Sequence, residues 1–404
     1  MAVARTARIG GQDGERILVD GHRRLRAQQV VGILAAPSAT LEILPKIDAL
    51  DEGATRQRLV HMLASVHDLQ IAAGSLTQVG WQEHDLLEVL IRLFCERLFQ
   101  AVHRGMPRRY IPHDEDLPAL RGRLDAVRQF TVLATRPHSL ACRYEELSPD
   151  TPLNQIMRAA VTRLLKVARS GGNQRRLAEL SLSFADVSVV AVDRLDWNGV
   201  VLDRTNSDWS ALLGLARLLL GDRFQTTSSG GGTGFSLLFE MNTLFEEYVG
   251  RTLRRALAGT GLEVSLQGPG DHVLTTDDGK RRFATRPDIV VMRDGEAMVI
   301  IDTKWKRLKG ALDDPRHGVG QADVYQMMAY AQVYRCRRTL LLYPHHGGLG
   351  QAAGLLAEYT MRGSEDTRLG VASVSLADLA AVGPRLGNLV LTTLGLNPHQ
   401  SAVG

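Results

Sequence analysis

The spacing of apolar residues changes along the chain, and each spacing predicts a different type of element. Residues 1–50 hold short aliphatic runs separated by Gly, Pro and Asp, which is typical of strands and turns. From Ala54 to Leu69, and again from about Trp81 to Gly105, apolar residues recur along one stripe, which favours amphipathic helices. Further helices are predicted to begin at Pro152 and at about Ser207.

The segment TTSSGGGTG at 226–234 breaks this pattern most sharply, because a run of small polar residues and glycines favours a flexible linker. A phosphate-binding loop of the P-loop type would need Lys-Ser or Lys-Thr after the glycines, and neither follows. Beyond it the pattern predicts, in order, a helix over 236–257, a strand over 262–267, a hairpin over 282–304, a helix over 321–334 and a strand over 339–344.

These elements predict a multidomain α+β protein, and 404 residues suffice for two or three domains. The expected divisions are a small N-terminal β region at 1–50, a mixed helical and strand region at 51–225, a Gly/Ser linker at 226–235 and an α+β domain at 236–404. We find no internal repeat.

Composition excludes several classes of protein. The balance of 48 Lys and Arg against 44 Asp and Glu gives a net charge of +4, which is too small to establish nucleic-acid binding by itself. Three cysteines without a CxxC pair predict neither a disulfide framework nor a zinc site, and favour a reducing cytoplasm. Without a signal sequence or an 18-residue apolar run, the chain is expected to be neither secreted nor membrane-spanning.

Two acidic residues are predicted to meet across the hairpin. Two β-branched runs flank Arg293–Glu296, and Asp-Gly between such runs is a strong hairpin signal. A three-residue loop places Asp288 opposite Asp302, a two-residue loop places them diagonally, and in both cases Lys304 shares the face of Asp302. Because opposed carboxylates need neutralisation, this arrangement predicts a divalent cation such as Mg²⁺, with the lysine orienting or deprotonating a water near a bound phosphate.

The simpler alternative is that these acids are strand-end turn residues and that Lys304 is a solvated edge charge, since the tripeptide D-x-K is common. Under the metal-site hypothesis, the side chains that alternate with the acids should pack beneath flanking helices. These are the odd-numbered residues Ile289, Val291, Val299 and Ile301.

The same residues resemble the PD-(D/E)xK nuclease superfamily. Pro287-Asp288 and Asp302-Thr303-Lys304 correspond to its acidic motif, and Gln326 and Tyr330 look like the QxxxY element of its RecB-like branch. The resemblance implies phosphodiester hydrolysis with Mg²⁺, or with Mn²⁺ as a substitute. It implies a catalytic set of Asp288, Asp302, Lys304, Gln326 and Tyr330, and metal ligands from Asp288, Asp302, Glu246 and the backbone carbonyl of Thr303.

Two assignments keep alternatives. Glu246, in LFEEY, best matches the superfamily's helix glutamate, although Glu240 and Glu247 compete for that role and helix glutamates are commonly solvated. Gln326 and Tyr330 share one helix face, but a core tyrosine beside an exposed glutamine would give the same spacing.

Basic residues flank the hairpin on both sides and are expected to contact the DNA backbone, although surface solvation is the ordinary role of such charges. They are Lys280, Arg281, Arg282, Arg286, Lys306, Arg307 and Lys309.

Over residues 30–345 the chain is similar to McrC, the nuclease subunit of the McrBC modification-dependent restriction system. The similarity rests on LEILPKI at 41–47, RGRLD at 121–125, the segment 142–157 and MNTLFEEYV at 241–249, together with the nuclease motifs. It implies a C-terminal nuclease domain and an N-terminal region, within 1–225, that docks on a hexameric McrB-type AAA+ GTPase recognising modified (methylcytosine) double-stranded DNA. GTP is then expected to bind to the partner, and this chain is expected to stimulate the hydrolysis of that GTP.

Two other functions remain open on sequence grounds. A free-standing RecB-like exonuclease is disfavoured because about 230 residues without a helicase motif precede the nuclease unit. A non-catalytic adaptor of an AAA+ ring is disfavoured because Asp288, Asp302 and Lys304 are all present.

Overall fold

The computed structural model describes residues 8–9, 12–13, 18–20, 25–36, 39–48, 50–69, 85–204, 206–221, 224–229, 232–308, 318–363 and 366–396. The strands are β1 Arg8–Ile9, β2 Gln12–Asp13, β3 Leu18–Asp20, β4 Leu25–Ala27, β5 Val30–Ala36, β6 Ala39–Ile43, β7 Arg109–Leu117, β8 Arg123–Leu124, β9 Leu140–Ser148, β10 Phe224–Ser229, β11 Gly232–Glu240, β12 Glu263–Leu266, β13 Asp271–Thr275, β14 Arg281–Thr285, β15 Ile289–Arg293, β16 Glu296–Thr303, β17 Arg338–Pro344, β18 Gly354–Thr360 and β19 Arg368–Val374. The α-helices are α1 Glu52–Val66, α2 Leu86–Arg104, α3 Ala126–Thr131, α4 Pro152–Val167, α5 Gly171–Ser183, α6 Trp209–Leu220, α7 Met241–Ala256, α8 Gln321–Val333 and α9 Leu379–Thr393.

The chain divides into two compact units, one formed by residues 1–86 with 223–404 and one by residues 87–222. The mixed α+β, multidomain class is as predicted, but the boundaries differ from the predicted ones. The segment 226–235, expected to be a linker, contributes to β10 and β11, which pair antiparallel. The apolar run that follows, Phe235–Glu240, pairs with β5, so the N-terminal strands belong to the same unit as the C-terminal half.

The N-terminal sheet of the first unit has the strand order β10-β11-β5-β6, and all its neighbours are antiparallel. Ile33 and Leu237 are paired across this ladder and are fully buried. Gly32 has a φ of +131°, and a Cβ at this position would lie 2.0 Å from the carbonyl oxygen of Leu237. Glycine is therefore required where β5 passes closest to β11.

A second sheet in the same unit has the order β12-β15-β16-β17-β19-β18. Strands β12, β15 and β16 are antiparallel neighbours, whereas β16, β17 and β19 run parallel. Val290 and Ile300 pack with Met327 and Tyr330 of α8 in one core cluster. The predicted burial of Ile289, Val291, Val299 and Ile301 is confirmed, since none is more than 1% exposed. The sheet is thus buried on both faces, including the face that carries the acids.

The second unit contains α2 to α6 and a sheet of order β7-β9-β8. Helix α4 begins as predicted, with Pro152 in its first turn and the hydroxyl of Thr151 accepting a hydrogen bond from the backbone N–H of Asn154 at 3.3 Å. Helix α5 was not predicted. The short helix α3, Ala126–Thr131, lies in a segment whose pattern favours strands. Among the described residues, no helix has the length and apolar character needed to cross a membrane.

Candidate active site

The turn of the β15–β16 hairpin determines how the two acids meet. Asp294 and Gly295 have φ values of +52° and +82°, as expected for a two-residue type I′ turn. An irregularity at Val291/Met292 then shifts the register, so that Ile289 pairs with Ile301. Carrying this register one residue further sets Asp288 opposite Asp302. A two-residue turn with a bulge therefore gives the alignment that the sequence predicted from a three-residue loop.

The two acids have different partners at this strand end. One oxygen of Asp288, Oδ2, accepts hydrogen bonds from the backbone N–H of Thr303 at 2.8 Å and from its hydroxyl at 3.1 Å. The carboxylate of Asp302 is fully buried, and its Oδ1 has no hydrogen-bond donor. Its Oδ2 forms an ion pair with the Nζ of Lys304, 2.6 Å away. A buried carboxylate oxygen without a hydrogen-bond donor is uncommon, and it favours a bound cation as its partner.

Burial raises the pKa values of both acids. The pKa of Asp302 rises from 3.8 to about 6, first because of burial and then because of the charge of Asp288, while Lys304 opposes the shift. Burial also raises the pKa of Asp288, although the hydrogen bonds from Thr303 and the charge of Lys304 act in the opposite direction. Burial favours the neutral form of Lys304, but the charges of Asp302 and Asp288 outweigh it and raise the lysine's pKa.

Glu246 of α7 is close enough to be affected by the same charges. Its pKa rises from 4.5 to about 8 through burial, then through Asp288, Glu247 and Asp302. Glu240, in contrast, precedes α7 and accepts a hydrogen bond from the hydroxyl of Thr243 at 3.2 Å. Of the three candidate glutamates, Glu246 is thus the one that the structure links to the acids.

The donor set can be compared with what a metal ion needs. Among the described residues, no three His, Cys, Asp or Glu side chains are grouped closely enough to hold an ion. Asp288 and Asp302 would supply two carboxylates and the backbone of Thr303 a carbonyl, and these hard oxygen ligands are the kind that Mg²⁺ prefers. The Oδ1 of Asp302, which is buried without a donor, fits this requirement.

Helix α8 connects Lys304 to the segment before Asp288. The Nζ of Lys304 donates to Gln326 Oε1 at 3.4 Å, and Gln326 Nε2 donates to the hydroxyl of Tyr330 at 2.7 Å. That hydroxyl donates to the carbonyl oxygen of Arg286 at 3.0 Å. Gln326 and Tyr330 therefore share one helix face, as predicted, and the structure brings them together with Lys304.

A family profile decides what kind of protein carries this arrangement. The profile described as McrBC 5-methylcytosine restriction system component matches residues 25–344. The chain belongs to this family. The resemblance to McrC is thereby confirmed at the level of the family.

Two solved structures are similar to this chain. The fold is similar, with a TM-score of 0.71 and 21% identity over 94% of this chain and 86% of the other, to a chain in the refined half-complex from the tetradecameric assembly of Thermococcus gammatolerans McrB AAA+ hexamers with bound McrC. A chain of the Thermococcus gammatolerans McrBC complex matches with a TM-score of 0.48 and 28% identity, over 58% of this chain and 68% of that one. No curated protein matches.

Asn242 lies beside Lys304, and the sequence did not predict this position. Its Oδ1 accepts a hydrogen bond from the backbone N–H of Trp305 at 3.1 Å, directly after Lys304. The rings of Phe245 and Trp305 meet edge to face with their centroids 5.2 Å apart. Asn242 lies one helical turn before Glu246, and this i to i+4 spacing was the available signal.

Most of the basic residues predicted to contact DNA already have partners within the McrBC-family chain. Lys280 pairs with Asp278 at 2.8 Å, Lys306 with Asp323 and Arg307 with Asp48, and the Nε of Arg286 donates to the carbonyl oxygen of Gln267 at 3.1 Å. In the portion of the chain that the structure describes, Arg281 and Arg282 are exposed and form no ion pair. Lys309 lies outside the described residues.

Proposed function

We propose that this chain is the metal-dependent DNA endonuclease subunit of an McrBC-like type IV restriction system. In this proposal it cuts DNA carrying methylcytosine together with an McrB-type AAA+ GTPase, whose GTP hydrolysis it stimulates. Family membership supports the restriction role. The similar solved assembly contains McrB AAA+ hexamers with bound McrC, which supports a ring-shaped GTPase as the partner here.

One observation carries the nuclease assignment, namely the meeting of Asp288, Asp302 and Lys304 at one strand end, where the buried Oδ1 of Asp302 lacks a hydrogen-bond donor. Asp288, Asp302 and the carbonyl of Thr303 would hold Mg²⁺ or Mn²⁺, and Glu246 would add the third carboxylate. A bound cation supplies Lewis-acid stabilisation of the phosphate and an activated water. This donor set supports a PD-(D/E)xK domain within residues 236–404.

The raised pKa of Lys304 helps to choose between its two possible roles. A general base works best when its pKa lies near the working pH, and Lys304 is shifted away from neutrality. Its ammonium, held between Asp302 and Gln326, therefore serves better to position a water or to stabilise charge on the phosphate. Gln326 and Tyr330 fix the orientation of the lysine side chain.

The partner-docking role is proposed for the chain before residue 226. The second unit, residues 87–222, carries none of the residues of the acid site, and the sequence offers no P-loop of its own. A separate GTPase would then provide both the recognition of modified DNA and the hydrolysis of GTP.

The test uses the full chain, a purified McrB-type GTPase, GTP, Mg²⁺ and a covalently closed plasmid with or without methylcytosine. Asp302→Ala should lower cleavage by roughly a hundredfold or more while GTP turnover remains stimulated. Asp366→Ala, which changes an exposed aspartate, is the matched control and should cut normally. Calorimetry with Mn²⁺ gives a second readout, because the parental chain should bind the ion more tightly than the Asp302→Ala variant.

Each alternative predicts a different result in the same experiment. An exonuclease would leave the closed circle intact and degrade only linear DNA. A non-catalytic adaptor would stimulate GTP turnover without cutting any substrate. Cleavage by Asp302→Ala at the parental rate would refute the site itself.

A further inference from the structure

Strands β13 and β14 form a hairpin that displays an aromatic side chain in a costly conformation. Phe283 is 71% exposed and has a φ of +57°, in the left-handed region that bulky residues rarely adopt. Phe283 has no paired residue on the neighbouring strand, although the residues on either side of it do: Leu274 pairs with Arg282, and His272 pairs with Ala284. Phe283 thus gains neither core packing nor a relaxed backbone, and strained residues of this kind are commonly kept for function.

The surroundings of Phe283 combine apolar surface with free positive charge. Val273 and Leu274 on the neighbouring strand are 42% and 54% exposed. Arg281 and Arg282 precede the phenylalanine and are exposed, and among the described residues neither forms an ion pair. An apolar tip flanked by unpaired guanidinium groups is complementary to a ligand with flat apolar faces and negative charges on either side.

The base of this hairpin is attached to the helix that holds Lys304. The hydroxyl of Tyr334, which directly follows α8, shares its hydrogen between the carbonyl oxygens of Pro269 at 2.7 Å and Thr285 at 3.0 Å. Tyr330 binds the next residue, Arg286, through its carbonyl oxygen. Both ends of the hairpin are therefore held against α8, and Phe283 has a defined position relative to the acid site.

Asp288 follows Phe283 by five positions, and five extended residue steps span at most about 17 Å. Base pairs are spaced about 3.4 Å apart along DNA, so this reach corresponds to roughly five steps. A duplex whose phosphate lies at the acid site would pass within reach of Phe283.

We propose that Phe283 inserts its ring between neighbouring bases of bound DNA, while Arg281 and Arg282 contact the flanking phosphates. Cations alone would suffice for phosphate binding, whereas the surface of DNA that is complementary to an exposed apolar ring is the faces of the bases. The inference rests on the proposed nuclease function for the presence of DNA, and it adds a base-contacting residue that distorts the substrate near the cleavage position.

Binding is tested with the full chain in EDTA, so that the measurement does not depend on cleavage. The probe is a fluorescent 30-base-pair duplex carrying 2-aminopurine, whose emission rises when the base is unstacked. Phe283→Ala should weaken binding roughly five- to a hundredfold and abolish the rise in 2-aminopurine emission. The salt dependence should stay unchanged, because the phosphate contacts remain, whereas Arg282→Ala should reduce its slope by about one.

Two further variants separate this role from a structural one. Phe130 is also exposed, at 77%, so Phe130→Ala should leave DNA binding unchanged. Phe283→Gly relieves the positive φ and should keep or raise the melting temperature while still losing DNA affinity. A lower melting temperature with unchanged affinity would assign Phe283 to the fold and overturn the inference.

The outcomes distinguish this inference from the proposed function. If Phe283→Ala binds the duplex like the parental chain while Mg²⁺-dependent cleavage is intact, the inference is wrong and the nuclease assignment stands. If affinity depends on Phe283 but no DNA is cut under any condition, the inference stands and the nuclease assignment fails. Weaker binding of the GTPase partner alone would show that the ring contacts protein, which also overturns the inference.

Discussion

Replacing Asp302 by asparagine should make the metal-free protein less sensitive to rising pH. The folded chain holds the Asp302 proton up to about pH 6, whereas an unfolded aspartate loses it near 3.8. Between these values the native state binds more protons, so stability falls as pH rises. The shift corresponds to about 3 kcal/mol, present below pH 4 and lost above pH 6. Asparagine does not titrate and is free of this loss.

The quantity to measure is the difference in unfolding free energy between the parental chain and Asp302→Asn. Urea unfolding in EDTA between pH 4 and 7.5, followed by hydrogen exchange of β16, reports on the unit that contains the site. The substitution also buries an amide, a cost that changes little with pH and shifts only the offset. The ion pair with Lys304 forms as Asp302 ionises, so its contribution is already included in the pKa of Asp302. The difference should fall by about 3 kcal/mol from pH 4 to 7.

Addition of Mn²⁺ provides the complementary measurement. At pH 7.5 and a hundred times its dissociation constant, the ion should stabilise the parental chain by about 2.7 kcal/mol. The Asp302→Asn variant should gain much less. A difference between the two proteins that stays constant within about 1 kcal/mol across the pH range would refute the reasoning, because Asp302 would then titrate alike in both states.

Two further predictions concern neighbouring residues. Because the pKa of Glu246 is raised to about 8, its carboxylate takes up a proton between pH 8.5 and 6.5, and the Mn²⁺ affinity of the parental chain should fall over this range. Calorimetry should find this pH dependence weakened in Glu246→Gln and kept in the control variant Glu247→Gln. Gly295→Ala places a Cβ at a φ of +82° and should lower stability by about 1 kcal/mol, measured by thermal unfolding, whereas Gly383→Ala, at a helical glycine with room for a methyl group, should not.

The sequence predicted best those elements whose signal is local and repeated. Helices α1, α2 and α6 lie within a few residues of their expected bounds, apart from the start of α2, because their apolar period extends over several turns. The hairpin of β15 and β16 was also predictable, since Asp294-Gly295 accepts the positive φ values that its turn requires. The acids, the lysine and the glutamine–tyrosine pair could be named from this hairpin and the family motifs.

The pairing of distant segments could not be read from the sequence. The run 236–240 was assigned to the following helix, yet it forms a strand because β5 offers it a partner. Strand formation depends on such neighbours more than helix formation does, which is why the predicted linker boundary failed. The same limit applies to the basic residues, because Arg307 finds Asp48 far away in the chain.

The contact between Asn242 and Trp305 was missed for a related reason. An asparagine near a helix start normally indicates capping or solvation. Only the folded chain shows that its carbonyl oxygen reaches the backbone that follows Lys304. Geometry of this kind depends on the packing of α7 beside the end of β16.

The pairing of β5 with β11 determines the order in which the protein can mature on the ribosome. Val30 of β5 pairs with Glu240 of β11. Strand β5 must therefore wait for this partner until about 200 further residues have been made, or roughly 10–40 s at ordinary rates of synthesis. During this interval its apolar side chains and open edges are exposed to other nascent chains, and chaperone binding would be most useful then. The contiguous unit at 87–222 has no such delay. The acid site lies on β15 and β16, whose sheet also contains the parallel strands β17 and β19, so this sheet is completed only after Val374 has emerged.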